Sequence, residues 1–232
     1  SANFFGGLFY KNKNFCLKLF KHYINSLSLT LKNLGININT IPVLDILRNN
    51  TNKVIGNRSF SKDKKIVKEL GLAILENLHK NKISGVIKHI PGHGASNLDS
   101  HKMLPKISLS PKKLNNIDFY PFKISGAKLA MTAHILYTNL DNKNPATFSR
   151  KIIKNVIRKK LKFKGILLSD DISMKALKYD LVTNAMKSIY AGCNLVLYCS
   201  GNINDNFKLI KCLPYLDKFT SKKTSEFFKF LR

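Results

Sequence analysis

A short segment, residues 88–105, carries the residue types best suited to chemistry in this chain. Its sequence, Lys-His-Ile-Pro-Gly-His-Gly-Ala-Ser-Asn-Leu-Asp-Ser-His-Lys-Met-Leu-Pro, holds three histidines, one aspartate and two glycines. Just before it, the apolar residues 83–87 predict a buried strand. Polar side chains at the carboxyl end of a strand, on a loop made pliable by glycine, are typical of an active site on an α/β scaffold.

The segment resembles the signature of the glycoside hydrolase family 3 β-N-acetylglucosaminidases, in which Lys-His-Φ-Pro-Gly-His-Gly (Φ is apolar) precedes Asp-Ser-His and Leu-Pro. Four more stretches are similar to motifs of that family and follow the family's order: residues 41–45 (Ile-Pro-Val-Leu-Asp), 55–60 (Ile-Gly-Asn-Arg-Ser-Phe), 165–174 (Gly-Ile-Leu-Leu-Ser-Asp-Asp-Ile-Ser-Met) and 191–197 (Ala-Gly-Cys-Asn-Leu-Val-Leu). Five motifs in order are difficult to obtain by chance, and the resemblance extends to about residue 200.

An aspartate, Asp170, follows the apolar run of residues 165–169. A carboxylate at the end of a barrel strand projects into the barrel mouth and can attack an anomeric carbon, as in retaining glycosidases. The alternative is that Asp170 caps the following helix, because aspartate favours that position. Asp171 is the better cap candidate, since it lies closer to the helix predicted from Ser173. The resemblance implies that Asp170 is the nucleophile.

A retaining glycosidase also needs a general acid and base. Before the C-terminal tail the only glutamates are Glu69 and Glu76, whose spacing on a predicted helix is typical of a solvated face. The resemblance implies instead that His101 is the acid/base and that Asp99, two residues earlier, is its partner. Histidine changes protonation near neutral pH, and a neighbouring carboxylate fixes its tautomer. The alternative is a histidine that is structural or merely exposed.

The resemblance also implies which side chains bind the sugar. Lys88 and His89 end a predicted strand, where a charged group is costly unless it is used, and both match family ligands of sugar hydroxyls. Arg58 matches the arginine of the Gly-x-Arg-Ser motif, although it could also be an ordinary surface charge in a basic protein. We expect His134, at the end of another strand, to line the pocket, and His93 to brace the loop.

The histidine-rich segment raises the question of a metal site. His89, His93 and His101 follow no recognised metal-ligand spacing, and the family they resemble needs no metal. Gly92 and Gly94 flank a histidine, but the phosphate-loop pattern G-x-x-x-x-G-K-[ST] does not occur around them. We therefore expect neither a metal nor a cofactor.

The chain is strongly basic, with 40 Lys and Arg against 13 Asp and Glu and a net charge of +27. One interpretation is a polyanionic partner such as nucleic acid or an anionic membrane. The other is a compositional bias toward Lys, Asn and Ile, which we favour, because the lysines are spread along the chain and no RNA-binding motif or zinc-finger spacing accompanies them. We expect no specific nucleic-acid partner.

The four cysteines, Cys16, Cys193, Cys199 and Cys212, form no C-x-x-C pair, which favours reduced thiols and a reducing compartment. The sequence has no run of 18 apolar residues, so no membrane span is predicted. It shows no signal peptide, although it begins with Ser and an upstream segment could have held one. We expect a cytoplasmic monomer.

The order of predicted elements indicates an α/β fold with a parallel sheet. The apolar runs predict strands over residues 36–44, 85–89, 128–132, 165–169 and 194–199. Helical periodicity covers residues 14–34, 61–80, 149–161, 173–191, 206–213 and 222–231, with Ser61 and Ser149 as N-caps, Gly192 as a stop, and Pro214 ending the helix of residues 206–213.

The resemblance implies a (β/α)8 TIM-barrel-like fold that is incomplete at its N-terminus. Family members carry two further βα units before the region that matches Ser1, the second ending in an Asp-Gln-Glu-Gly-Gly-Arg-like motif that does not occur here. We expect a single partial barrel domain over residues 1–232, with a helical tail over about residues 203–232.

The sequence therefore predicts a retaining exo-β-N-acetylglucosaminidase that removes terminal β-linked N-acetylglucosamine from muropeptide-type saccharides in peptidoglycan recycling. One alternative is an inactive or incomplete barrel that binds sugar at most, because the sugar-binding aspartate of the missing motif does not occur. The other alternative is a basic nucleic-acid-binding protein, which only the charge supports.

Overall fold

The computed structural model describes residues 1–124 and 126–231. Its seven strands are β1 Ile38–Asn39, β2 Ser84–Ile90, β3 Lys106–Ile107, β4 Leu129–Thr132, β5 Leu136–Tyr137, β6 Ile166–Asp171 and β7 Leu195–Leu197. Five of them form one parallel sheet in the order β1-β2-β4-β6-β7, and β3 pairs with β5 in a separate parallel ladder. The five strands predicted from apolar runs are those of the large sheet, whereas β3 and β5 were not predicted.

The helices of the described residues are α1 Ala2–Lys11, α2 Lys13–Asn33, α3 Lys64–Lys80, α4 Pro111–Asn116, α5 Arg150–Ile152, α6 Leu181–Ala191, α7 Ile203–Cys212 and α8 Lys218–Leu231. After α5 the chain continues as a π-helix, Ile153–Lys160. None of them is long and apolar enough to cross a membrane. Each predicted helix has a counterpart, and α1 and α4 are additions that the sequence pattern did not indicate.

The helix predicted over residues 173–191 is wrong at its beginning. Helix α6 begins only at Leu181, after Asp180, whose side chain accepts a hydrogen bond from the Thr183 amide at 3.0 Å. Ser173 lies instead in a turn, where its amide and hydroxyl donate to the Asp171 carboxylate. The loop between β6 and α6 is therefore longer than the sequence pattern indicated, and it borders the carboxyl end of the sheet.

The predicted helix caps have mixed outcomes. Ser61 is not the cap of α3, because the Asp63 side chain accepts the hydrogen bond from the Lys65 amide at 2.7 Å. Ser149 does cap α5, and Gly192 stops α6 in the left-handed region at φ 117°. The Ser61 hydroxyl instead accepts from the Asp63 amide at 3.0 Å, just before the helix begins.

The two faces of the large sheet belong to two different apolar clusters, because successive side chains of a strand point to opposite faces. One face packs under the helices in the main core, through Ile87, Ala130 and Leu167. The other face forms a second cluster with the C-terminal helix α8, through Val86, Leu129, Ile166 and Phe227. We call this second face the inner face.

Helix α8 covers the inner face near the amino ends of its strands. Phe227 borders a surface pocket with residues that immediately precede β4 and β6, including Lys128 and Gly165. The side-chain amide of Asn194, just before β7, donates to the Thr220 hydroxyl at 2.8 Å. The carboxyl ends of the same strands are left uncovered by α8, and the predicted site residues lie there.

Candidate active site

A cavity of about 390 Å³ lies at the carboxyl ends of β2, β4, β6 and β7. Five of the seven predicted site residues line it: Arg58, Lys88, His89, His101 and Asp170. The parallel sheet explains this gathering, since its strands all end at the same edge and side chains of one face point to the same side. The remaining two predicted residues do not line the cavity: Asp99 is bonded to His101, and His134 is bonded to the carbonyl of Asp171, next to Asp170.

Asp170 lies at the end of β6 with 15% of its side chain exposed. Its carboxylate accepts a hydrogen bond from the Asp171 amide at 2.9 Å. Burial acts to raise the pKa of Asp170, but the neighbouring His89, His134 and Lys88, together with that hydrogen bond, outweigh burial and lower the pKa. The carboxylate is therefore ionised at neutral pH, as a nucleophile must be.

A second aspartate, Asp45, lies behind His89 with no exposed surface. The Nδ1 atom of His89 lies 2.7 Å from its Oδ2, and the His89 amide donates to the same carboxylate at 3.2 Å. Burial acts to raise the pKa of Asp45, but the two histidines His89 and His93 outweigh burial and lower it. The ring of His89 thus lies between two carboxylates, because its Nε2 is 4.0 Å from Oδ2 of Asp170.

The Pro-Gly-His-Gly loop is held tightly against the end of the sheet. The hydroxyl of Tyr137 donates to the Gly92 carbonyl at 2.6 Å, and Gly92 has a φ of +146°, which side chains disfavour. A Cβ on Gly94 would lie 2.0 Å from the carbonyl oxygen of Ile46. The two glycines are therefore required by backbone conformation and by close packing, and they fix the start of the loop that carries Asp99 and His101.

His93 lies inside this loop and borders the cavity. Its backbone amide donates to Asp45 at 2.6 Å, and its Nε2 lies 3.2 Å from the Ser100 hydroxyl. Burial lowers the pKa of His93 to about 4, so the ring is neutral at physiological pH. Both the backbone amide and the ring of His93 are held by other residues, and these contacts favour its predicted role in bracing the loop.

Asp99 and His101 form a pair at the rim of the cavity. The carboxylate of Asp99 accepts from the His101 amide and from Nδ1 of its ring, both at 2.9 Å. The hydrogen bond from that amide is the main cause that lowers the pKa of Asp99. Since a carboxylate of this kind only accepts, Nδ1 carries the hydrogen and Nε2 is left free. With 60% of its side chain exposed, His101 can present Nε2 to a ligand.

His134 lies behind the cavity wall and is completely buried. Its Nε2 lies 3.0 Å from the Asp171 carbonyl oxygen, so this nitrogen carries the hydrogen, and Nδ1 accepts from the Thr147 hydroxyl at 2.7 Å. Burial lowers the pKa of His134. Both ring nitrogens have protein partners, so the structure gives His134 a bracing position next to Asp170, and its predicted contact with sugar stays a prediction.

Two cationic side chains complete the site. Lys88 is partly buried, and burial followed by the charge of Arg58 lowers its pKa, against the attraction of Asp170 and Asp45. The guanidinium of Arg58 donates to the Val54 carbonyl at 3.0 Å and is otherwise exposed toward the cavity. Two cations beside an ionised carboxylate and two histidines make a polar pocket suited to a hydroxyl-rich ligand.

Two residues of the site were not predicted to belong to it: Asp45 was given no role, and Asp171 was expected to cap a helix near Ser173, which is wrong because that helix begins at Leu181 with Asp180 as its cap. Asp45 was noticed only as the last residue of a motif, although its position directly after the predicted strand of residues 36–44 places it at the same sheet edge as Asp170. Asp171 accepts from the amides of Ser173 and Cys199 at 3.0 and 3.3 Å, which ties the end of β6 to the end of β7. No group of three or more potential metal ligands is found in the part of the chain that the structure describes.

Comparison with known proteins gives a consistent result. The profile of the glycosyl hydrolase family 3 N-terminal domain matches residues 16–221. The β-hexosaminidase of Neisseria meningitidis serogroup A / serotype 4A is 36% identical over 185 residues, which are 75% of this chain and 51% of that protein. The β-hexosaminidase of Methylobacillus flagellatus is 34% identical over 171 residues, 72% of this chain and 48% of that protein. The chain spans about half the length of these curated relatives.

Solved structures show the same similarity in three dimensions. NagZ from Neisseria gonorrhoeae, in complex with N-trifluoroacetyl-D-glucosamine, superposes with a TM-score of 0.88 at 28% identity, over 100% of this chain and 67% of that chain. The β-N-acetylglucosaminidase from Thermotoga maritima gives a TM-score of 0.76 at 28% identity, over 97% of this chain and 49% of that chain. The predicted α/β class, part of a TIM-barrel-like fold, is confirmed.

Proposed function

Because this chain belongs to glycosyl hydrolase family 3, as its motifs predicted, we propose that it hydrolyses the bond to a terminal β-linked N-acetylglucosamine with retention of configuration. The observation that carries the proposal is that Asp170 and His101 line the same cavity, and that the His101 ring is bonded to Asp99. These groups come from distant parts of the sequence. One is an ionised carboxylate, as a nucleophile must be, and the other is a histidine that can exchange a proton, as a general acid and base must.

In the proposed first step, an oxygen of the Asp170 carboxylate attacks the anomeric carbon of the bound sugar. The bond from that carbon to the leaving oxygen breaks, and His101 gives the proton on Nε2 to that oxygen. The product is a glycosyl ester of Asp170. His101, now with a lone pair on Nε2, then takes a proton from water as the water attacks the anomeric carbon, which breaks the ester and restores Asp170.

The environment of each group supports its role. Asp170 is largely buried beside His89, His134 and Lys88, which favour its anionic form over the effect of burial. His101 is exposed and on a loop, so it can approach and leave the glycosidic oxygen as it changes between acid and base. Its partner Asp99 accepts from Nδ1, which leaves Nε2 as the nitrogen that exchanges the proton.

The remaining polar groups would position the sugar. We propose that Lys88, His89 and Arg58 hydrogen-bond to its hydroxyls, because all three line the cavity next to Asp170. The structure of the N. gonorrhoeae relative was obtained with N-trifluoroacetyl-D-glucosamine, which is consistent with an N-acylated glucosamine. We further propose muropeptide-type saccharides as the substrates, peptidoglycan recycling in the cytoplasm as the setting, and a monomer as the active form.

One specific observation supports the alternative of a barrel that binds sugar at most. The described sheet has five strands in a single open order, and the chain spans about half the length of its curated relatives. A sugar pocket built from part of a barrel would lack the contacts that other strands supply. The alternative predicts binding of N-acetylglucosamine without turnover, and it is separated from hydrolysis by the following assay.

The assay measures release of the aryl group from an aryl β-N-acetylglucosaminide, with proton NMR of the sugar formed at early times. We expect turnover with the β-anomer of N-acetylglucosamine appearing first, and loss of turnover in Asp170→Asn, which keeps the side-chain volume and removes the attacking anion. Initial formation of the α-anomer would contradict retention. Sugar binding without turnover would favour the alternative.

A further inference from the structure

Three backbone or ring N–H groups converge on the carboxylate of Asp45. They are the amide of His89 at 3.2 Å from Oδ2, Nδ1 of His89 at 2.7 Å from Oδ2, and the amide of His93 at 2.6 Å from Oδ1. The side chain of Asp45 is completely buried. A carboxylate is costly to bury unless its oxygens are hydrogen-bonded, and these three donors satisfy it from one segment of the chain.

The geometry determines which nitrogen of His89 carries a hydrogen. An ionised carboxylate only accepts, so Nδ1 must be the donor in the 2.7 Å contact with Asp45. The opposite nitrogen, Nε2, is then the atom that lies 4.0 Å from Oδ2 of Asp170. Asp45 therefore sets both the orientation of the His89 ring and the face that the ring presents to the cavity.

The same carboxylate also holds the loop that follows. By accepting from the His93 amide, Asp45 joins the end of β2 to the Pro-Gly-His-Gly turn, from which the chain proceeds to Asp99 and His101. The pair Asp45–His89 stands on the rigid sheet, whereas the pair Asp99–His101 stands on the exposed loop. Two Asp–His pairs therefore each bring one histidine to the cavity: His89 from the buried end of the sheet and His101 from the exposed loop.

We propose that Asp45 is a positioning residue of this site: it keeps a hydrogen on Nδ1 of His89 and holds its Nε2 beside Asp170. Asp45 does not line the cavity, so it acts through His89 and through the loop. The positioning of His89 is independent of what the protein hydrolyses. The consequence for turnover rests on the proposed function.

An asparagine in place of Asp45 has nearly the same volume but cannot serve the same donors. Its single carbonyl oxygen can accept, whereas its NH2 group would face an N–H of His89 or His93. The backbone amides of His89 and His93 lie 3.3 and 2.6 Å from Oδ1 and cannot lose their hydrogens, so we expect the asparagine oxygen to stay with them and the NH2 group to face the His89 ring. The conflict is then relieved when His89 moves its ring hydrogen to Nε2, so that Nδ1 accepts from the new NH2. The substitution therefore changes the tautomer rather than only weakening a contact.

The tautomer is read directly by two-bond ¹H–¹⁵N correlation NMR of the histidine rings, with the His89 signals assigned by their loss in His89→Gln. In the wild-type protein we expect the pattern of a ring protonated on Nδ1 for His89. In Asp45→Asn that pattern should be lost, while the His101 signals stay unchanged. The matched control, Asp99→Asn, removes the corresponding carboxylate of the loop pair and should change His101 while leaving His89 as in the wild type.

The wild-type spectrum alone tests the proposal if Asp45→Asn does not fold, because a His89 ring without hydrogen on Nδ1 would overturn it. An unchanged His89 pattern in a folded Asp45→Asn would overturn it as well. Turnover of the aryl glycoside is measured separately in the same samples. If the wild-type protein shows the expected tautomer but no turnover, the proposed function fails and the positioning of His89 stands.

Discussion

The Nε2 atom of His89 lies 4.0 Å from Oδ2 of Asp170, and the opposite ring nitrogen is bonded to the buried Asp45. The ring therefore connects a carboxylate that only supports the site to the carboxylate proposed to react. This arrangement explains how Asp170 stays ionised although most of its surface is buried, since His89 is the largest of the contributions that offset burial. It also makes the pH dependence of the reaction testable.

We predict that His89→Gln moves the acidic limb of the pH profile to higher pH. His89 lowers the pKa of Asp170, so its removal raises that pKa, and the reactive anion is then lost at a higher pH as the medium is acidified. The shift is partial, because His134, Lys88 and the Asp171 amide still favour the anion. The measurement is kcat/KM against pH, which reports ionisations of the free enzyme. An acidic limb at the same pH in this variant contradicts the proposed coupling.

The second prediction concerns the exposed pair Asp99–His101. We expect His101→Ala to reduce turnover strongly for substrates with poor leaving groups and weakly for activated aryl leaving groups, because only a poor leaving oxygen needs a proton as the bond breaks. Asp99→Asn should show the same trend with a smaller effect. The test is a series of aryl glycosides of graded leaving-group pKa, and an equal loss across the series would show that His101 binds or positions the substrate instead.

The third prediction is that His93 makes the fold less stable in mild acid. Its folded pKa is about 4 against an ordinary value of 6.5, so between these limits the unfolded chain binds the additional proton. The contribution of the neutral His93 ring to the stability of the fold is fully present above pH 6.5 and is lost as pH falls toward 4. The measurement is the free energy of unfolding in urea at pH 7 and at pH 4.5. We expect the loss between these two pH values to be smaller in His93→Gln than in the wild type by ~2–3 kcal/mol.

Two other histidines, His79 and His134, also have lowered pKa values and contribute to the acid sensitivity that remains in that variant. The comparison is therefore made as the difference between wild type and variant at each pH. If the two proteins lose stability equally between pH 7 and pH 4.5, His93 does not titrate as its burial indicates.

The fourth prediction tests helix α8 as the cover of the inner face. Phe227 is 7% exposed and packs against Val86, Leu129 and Ile166, whereas its neighbour Phe228 is 62% exposed. We expect Phe227→Ala to destabilise the fold by about 3 kcal/mol, the usual cost of removing a buried aromatic ring. Phe228→Ala, the matched control, should change stability by less than about 0.5 kcal/mol. Equal effects of the two substitutions in thermal unfolding would contradict this packing.

Most of helix α8 lies beyond the residues that the family profile matches. The profile ends at residue 221, and the residues that pack on the inner face, Phe227, Phe230 and Leu231, all follow that point. Sequence periodicity predicted a helix over residues 222–231 but not its place, because an amphipathic pattern identifies an apolar face without naming the surface that this face covers. The partner surface is set by the sheet as a whole.

The positions of the main strands and of most site residues could be predicted from sequence, for a physical reason. Lys88, His89 and Asp170 each end an apolar run, and parallel strands end at one edge, so their gathering follows from the pattern. The boundary of α6 did not follow, because Asp171 binds the Ser173 amide and hydroxyl in a turn and the helix begins only after Asp180. Local propensity does not distinguish these two arrangements.

The role of Asp45 is the clearest example of what the sequence left out. Its contact with His89 joins residues 44 positions apart, and its importance comes from complete burial and from three converging donors. An aspartate after a strand is a common feature and carries no such information by itself. In the folded chain this carboxylate lies within hydrogen-bonding distance of the His89 ring, at 2.7 Å, whereas that of Asp170 lies 4.0 Å away.

The most direct test of the account is identification of the residue that becomes covalently bound to the sugar. A fluorinated N-acetylglucosamine derivative with an activated leaving group slows hydrolysis of the glycosyl-enzyme, so the intermediate accumulates and can be mapped by peptide mass spectrometry. We expect one added sugar on the peptide that contains Asp170, and no adduct in Asp170→Asn. An adduct on another residue, or turnover by Asp170→Asn at the wild-type rate, would contradict it.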